Sequence, residues 1–140
     1  MTVSDLMRED VVTARPDESV GDVAKRMEKE NVGSVVIERN GRPEGIVTDR
    51  DLTTRVLANG GTADGWSAED AMTRELRTVR TDTGVMELCN ELGDACVRRM
   101  PVVDDDGNLA GIVTHDDLNT LLADEQRELA QVIQAESPAY

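Results

Sequence analysis

Two stretches of this sequence are nearly the same: Gly45-Ile46-Val47-Thr48-Asp49-Arg50-Asp51 and Gly111-Ile112-Val113-Thr114-His115-Asp116-Asp117, 66 positions apart. Each offers a hydroxyl, a carboxylate three residues later and, if an apolar strand gives way to a helix at the threonine, the unpaired amides of a helix start. Such a set can hold a phosphate on the threonine hydroxyl and the following N–H groups, with the positive end of the helix dipole behind them. Asp51 and Asp117, one turn in, can accept both hydroxyls of a ribose, as an acidic residue does in dinucleotide folds. The same residues are also a capping box, in which threonine and aspartate satisfy each other's backbone amides with no ligand present. The two readings are compatible, a cap when empty and a site when filled.

The elements that must position these residues follow from pattern. A helical turn anchored by Leu6 and Met7 leads into a short strand, Val11-Val12-Thr13. Residues 15–19 break it, and Ser19 with Asp22 three positions on is a helix-start signature. The helix that follows carries Val20, Val23, Ala24 and Met27 on one apolar stripe. Ser34-Val35-Val36-Ile37-Glu38, Asn40-Gly41 and Ile46-Val47 then predict a hairpin, because both positions of the turn need positive φ. Pro43 is tolerated near the start of the second strand. Thr48 ends that strand, and residues 49–57 read as helix with Leu52, Val56 and Leu57 on the apolar side.

The order strand, helix, hairpin, helix then recurs. Asp70-Ala71-Met72 answers Asp5-Leu6-Met7, Thr78 answers Thr13, Arg80 answers Arg15 and Asp82 answers Asp17, all at an offset of 65. The stripe returns as Val85, Leu88, Cys89 and Leu92. Arg15 and Arg80 read as surface charges. One residue inserted before the second hairpin raises the offset to 66, matching Met100-Pro101-Val102-Val103 to Ser34-Val35-Val36-Ile37, with Asp106-Gly107 as the second turn. The chain is an internal duplication: repeat 1 over residues 1–59, a Gly-rich linker over 60–67, repeat 2 over 68–123, and a helical extension and tail over 124–140. Trp66, the lone tryptophan, either anchors the linker to the body or meets another chain; anchoring is the simpler reading. The last helix runs through Leu118, Leu121, Leu122, Leu129, Val132 and Ile133 to about Ala135, and its stripe outruns the repeat, which calls for a partner subunit.

Composition bounds the function. With 140 residues, 39% of them hydrophobic, one Trp, one Tyr and no Phe, the chain is one domain with an aliphatic core. No apolar run approaches the ~20 residues of a membrane helix, and residues 1–5 lack the basic and apolar regions of a signal peptide, so a soluble cytoplasmic protein is expected. The net charge of −14 comes from 16 Asp and 13 Glu against 13 Arg and two Lys. This surface repels nucleic acid and anionic lipid, offers no basic patch for DNA or RNA, and resembles that of proteins from salt-in haloarchaea. Cys89 and Cys96 have no Cys-x-x-Cys or histidine company and are expected to be buried thiols. No hydrolase elbow, histidine pair or base-activated nucleophile is present, which argues against an enzyme.

Two β-α-β-β-α units, each closing on Gly-apolar-x-Thr-x-x-Asp, resemble a tandem pair of cystathionine-β-synthase (CBS) domains, the Bateman module, over residues 3 to about 122. The resemblance implies an α/β (α+β) fold in which duplicated CBS units form a pseudo-twofold module, dimerised through amphipathic helices into a flat disc. It also implies a regulatory module that binds an adenosyl ligand such as AMP, ADP, ATP or S-adenosylmethionine and passes its state to an unknown partner protein. A dimeric interaction module with vestigial sites is the alternative.

In such modules each ligand lies between the repeats. By that matching, Ile46, Thr48, Arg50 and Asp51 are completed by Arg77, Arg98, Arg99 and Met100 of the other repeat. Ile112, Thr114, His115 and Asp117 are completed by Val12, Val32, Gly33 and Ser34. An asymmetry follows, with Arg98 and Arg99 set against uncharged Val32 and Gly33, and Arg50 against Asp116. An extra carboxylate beside a phosphate is unfavourable unless a cation intervenes. The first site is therefore expected to take phosphorylated adenosine, and the second to be empty, assisted by Mg near Asp116, or suited to a cationic ligand such as S-adenosylmethionine. His115 is read either as a solvent-facing residue or as a phosphate contact or pH-sensitive gate.

Overall fold

A computed structural model describes residues 1–136. Residues 137–140, the end of the expected tail, lie outside the described residues. The first sheet has β1 (Thr13–Ala14) parallel to β2 (Ser34–Arg39), which is antiparallel to β3 (Arg42–Thr48), in the order β1-β2-β3. The crossover between β1 and β2 is α2 (Val20–Glu30), preceded by the short α1 (Val3–Leu6). The second sheet repeats the plan with β4 (Val79–Arg80), β5 (Arg99–Val103) and β6 (Leu109–Thr114), crossed over by α5 (Val85–Ala95) and preceded by α4 (Ala68–Ala71). After β3 the chain turns helical through α3 (Asp49–Asp51), a π-helical segment (Leu52–Val56) and a 3-10 turn (Leu57–Asn59). After β6 it enters α6 (His115–Glu136), 22 residues long.

The repeats of the sequence are not the packing units. Val3 of α1, with Leu6 and Met7, packs among Val79, Leu88, Leu92, Met100, Val102, Val113 and Leu118 of the second half. Ala68, Ala71 and Met72 of α4 sit in the core built by Ala14, Val20, Val23, Met27, Val35, Ile37, Val47 and Val56 of the first. Backbone bonds make the same exchange, Val3 N–H to the Thr83 carbonyl at 2.8 Å and Ala68 N–H to the Glu18 carbonyl at 2.7 Å. Burying a side chain such as Val3 contributes about 1.5–3 kcal/mol, so the exchanged helices tie the halves together. Trp66 packs partly buried against the first core, which is the anchoring reading.

Several expectations are corrected here. The first strand is Thr13–Ala14 rather than residues 11–13, although Val12 still accepts from Val36 N–H at 3.0 Å. Ala24 and Cys89, the third positions of the two stripes, are exposed: the buried face of each helix is carried by Val20, Val23 and Met27 and by Leu88 and Leu92. Leu57 is also exposed, because the π and 3-10 segments rotate it off the face that buries Val56. Cys96 is not a buried thiol. It caps α5 in the left-handed conformation at φ 53°, as Asn31 caps α2, which carries it to the surface.

The inserted residue lies elsewhere than the sequence indicates. Ser34 pairs with Thr48 and Arg99 with Thr114, so β5 keeps the offset of 65 that relates the preceding helices. The extra residue sits in the turn. Asn40-Gly41 at φ 53° and 80° joins β2 to β3, whereas Asp104 N–H donates to the Asn108 carbonyl at 2.9 Å around a longer loop. The Asp104 carboxylate accepts from the N–H groups of Asp106 and Asn108, both at 2.9 Å, and holds that loop. A one-residue slip within the strand would turn every core side chain to the opposite face, whereas a turn absorbs the residue locally. Arg98 therefore stands where Gly33 does, Arg99 where Ser34 does, and Met100 where Val35 does.

Candidate functional site

Thr48 ends β3 because its side chain can take over where the ladder stops. Its Oγ1 accepts from Asp51 N–H at 3.1 Å, and its own N–H donates to Asp51 Oδ2 at 2.9 Å. Thr114 and Asp117 form the same reciprocal bonds at 3.2 and 2.9 Å, and the Thr114 hydroxyl also donates to Asp117 Oδ2 at 2.9 Å. Both capping boxes are thus closed by the chain's own atoms. In the first, Asp51 Oδ1 faces Arg55 Nε at 3.6 Å, one turn further along.

A cleft of about 700 Å³ opens beside Thr48, within the 300–1,000 Å³ usual for small-ligand sites. Ile46, Thr48, Arg50 and Asp51 line it from the first repeat, and Arg77, Arg98 and Arg99 from the second. Met100 does not: it is 1% exposed in the second core, since as the counterpart of Val35 it points inward. Asp49, Thr73, Glu75, Leu76, Ala95, Cys96 and Val97 complete the wall. Four arginines thus meet three carboxylates in the lining of this cleft, in a chain of net charge −14. Arg77 is steered by a 2.6 Å ion pair with Glu91 of α5, and Arg98 stands 3.8 Å from Asp116. Pro101, in the place of Val36, has no N–H to offer the Arg77 carbonyl, so the ladder that ties Val12 to Val36 is missing at this cleft.

The residues expected at the second site are more dispersed. Ile112 is bridged through its backbone to Arg8, and Arg8 Nη2 donates to Asp117 Oδ1 at 3.2 Å. Val12 lines a groove along α2 with Lys25, Arg26 and Lys29. A Cβ on Gly33 would lie 3.4 Å from Asp49 Oδ2 and 3.8 Å from Arg99 Nη1, which places Gly33 at the rim of the first cleft. Ser34 and Val32 are half-buried at the start of β2. His115 is exposed, with Nδ1 3.1 Å from Asn119 Nδ2 and 3.7 Å from Asp116 Oδ1. Among the described residues no group of three or more His, Cys, Asp and Glu is placed to hold a metal ion.

Sequence reasoning missed Arg8, Thr73, Glu75 and Cys96. The signal was present: position 8 answers position 73 at the same offset of 65, but only the exchange of α1 and α4 shows that each segment serves the opposite site.

The module is thus two exchanged halves, each a crossover strand pair closed by a hairpin, with a ligand-sized cleft lined by both. The chain belongs to the CBS domain family, whose model matches residues 3–58 and 68–124. It is 39% identical over 119 residues to an uncharacterized protein of Methanopyrus kandleri, covering 84% of this chain and 61% of that protein. It superposes on the CBS domain pair of protein MJ0100 in complex with 5-methylthioadenosine and S-adenosyl-L-methionine with a TM-score of 0.79 at 28% identity, covering 89% of this chain and 98% of that one. The cytosolic domain of the Mg2+ channel MgtE in complex with ATP gives 0.75 at 25% identity, covering 86% and 48%. No helix among the described residues is long and apolar enough to cross a membrane.

Proposed function

We propose that this chain is a regulatory module that binds a phosphorylated adenosine, of the AMP, ADP or ATP class, in the cleft at Thr48 and Asp51, and passes the bound state to a partner protein. The observation that carries this reading is the meeting of Thr48 and Asp51 with Arg77, Arg98 and Arg99 of the other repeat around a cleft of about 700 Å³. Asp51 accepts the ribose hydroxyls, the arginines take the phosphates, and Ile46 with Leu76 and Val97 offers apolar surface to the adenine. The adenosyl and ATP complexes of structurally similar CBS pairs support the ligand class.

Because the ligand touches both repeats, its binding biases their relative arrangement, to the extent that it prefers one arrangement over the other. The exposed stripe of α6, Leu122, Leu129 and Val132, supports a homodimer, and the acidic surface supports a cytoplasm of high salt and a role apart from nucleic acid and membrane.

A second reading has an observation of its own. Both Thr-x-x-Asp boxes are closed by the chain's own hydrogen bonds, as they would be in an interaction module whose sites are vestigial. A thermal-shift screen with AMP, ADP, ATP and S-adenosylmethionine separates the two. A rise in Tm with a phosphorylated adenosine that is lost in Arg98→Ala/Arg99→Ala supports the sensor; no shift with any of the four supports the vestigial module.

A further inference from the structure

The pseudo-symmetry of the chain sets Arg8 against Thr73. Arg8 N–H donates to the Ile112 carbonyl at 2.9 Å and its carbonyl accepts from Ile112 N–H at 3.0 Å, while Thr73 N–H donates to the Ile46 carbonyl at 3.0 Å. Both segments are thus bridged antiparallel to the strand that leads into a Thr-x-x-Asp box, and the side chains differ. Thr73 is short and uncharged. Arg8 reaches across the repeats and donates from Nη2 to Asp117 Oδ1 at 3.2 Å. The other oxygen, Oδ2, already takes the N–H and the hydroxyl of Thr114, both at 2.9 Å. Both oxygens of a carboxylate only 14% exposed are therefore engaged.

We propose that Arg8 closes the Thr114/Asp117 site, its guanidinium standing where ribose hydroxyls would bind, so that each chain has one open adenosine site. The inference rests on the adenosine reading of the Thr-x-x-Asp boxes. It also replaces the expectation of a cationic ligand there: the carboxylate that would attract a sulfonium is already paired with the Arg8 guanidinium. A ribose binding at Asp117 must first break a charge-assisted hydrogen bond, whereas at Asp51 the Arg55 guanidinium stands at 3.6 Å, beyond hydrogen-bond distance.

The test is calorimetric titration with adenosine, which carries no phosphate and so reads competition for the carboxylate without rewarding a cation. The proteins are wild type, Arg8→Thr and Arg8→Gln, each also with Asp51→Ala to silence the first cleft. Arg8 is largely exposed, so neither substitution at position 8 removes core packing. The expected result is one site in wild type, lost with Asp51→Ala, and two sites in Arg8→Thr. The added site survives Asp51→Ala, disappears with Asp117→Ala, and is about tenfold tighter than any binding at the Thr114/Asp117 site in wild type, equivalent to about 1.4 kcal/mol. Asp51-dependent binding with no added site in either Arg8 variant overturns the role of Arg8 and leaves the adenosine reading standing. Two equal sites in wild type overturn it as well. AMP binding at the first cleft with no adenosine binding in either Arg8 variant overturns the role of Arg8 alone, and binding of neither adenosine nor AMP by any of the proteins overturns both.

Discussion

Met72 lies directly over Gly45: a Cβ built on that glycine would come within 2.5 Å of the Met72 sulfur. The other repeat has the same relationship, with Met7 Sδ at 2.8 Å from a Cβ on Gly111. The glycine that opens each Gly-apolar-x-Thr-x-x-Asp stretch is therefore there to let the exchanged helix of the other half cross the hairpin. Gly45→Ala also meets the Thr73 carbonyl at 2.8 Å, which cannot give way as a side chain would. It is expected to lower stability by about 1–3 kcal/mol, read as a fall in the denaturation midpoint, and Met72→Ala should restore only part of the loss. A Gly45→Ala protein as stable as wild type would mean that the exchange does not press on the hairpin.

Glu18 and Arg26 set an acid limit on the first half. The Arg26 guanidinium donates to both carboxylate oxygens at 2.7 and 3.1 Å and to the Thr13 carbonyl at 2.6 Å, tying α2 to β1. That hydrogen bonding, helped by the Arg15 N–H and opposed by burial, holds the Glu18 carboxyl below its ordinary 4.5. A depressed carboxyl contributes stability that is fully present above the ordinary value and is lost as pH falls through the folded one. Glu18→Gln is expected to cost about 1 kcal/mol at pH 7, with the difference from wild type shrinking below about pH 4.5. Urea midpoints at pH 7 and pH 4 check it, and a gap that widens in acid would contradict it.

The longer second turn should be dispensable. Replacing Asp105-Asp106-Gly107 with Asn-Gly copies the two-residue turn of the first hairpin and leaves the Arg99–Thr114 pairing in place. The expected outcome is a shift in stability within about 1 kcal/mol and unchanged ligand affinity. If the insertion lay in β5 instead, the deletion would drag Arg98 and Arg99 out of register and abolish binding.

The exposed stripe of α6 makes its own prediction. Leu129→Glu with Val132→Glu should convert a homodimer to a monomer in sedimentation while leaving the helical signal intact, since both side chains are more than half exposed. A mass unchanged from wild type would place the subunit contact elsewhere.

What the sequence told of this chain was what is local or periodic. The Asn-Gly turn, the apolar strands and the Thr-x-x-Asp starts each carry their own geometry, and the duplication doubles every signal. The rest was non-local. Matching the repeats by residue type put the insertion before β5, because Met100-Pro101-Val102-Val103 and Ser34-Val35-Val36-Ile37 look alike in either register; only the ladder separates them. Cys89 and Ala24 read as buried because a helical stripe of four is drawn wider than the face these helices bury. Arg8 was invisible as a site residue because nothing in residues 1–10 indicates that α1 packs on the second half.

The most direct measurement is calorimetric titration of the protein with AMP in high KCl, beside Asp51→Ala. One AMP per chain in wild type, weakened at least tenfold in Asp51→Ala while the variant remains folded, is the predicted result. Binding that is undiminished in Asp51→Ala, or no binding by a folded wild-type protein, would contradict the account.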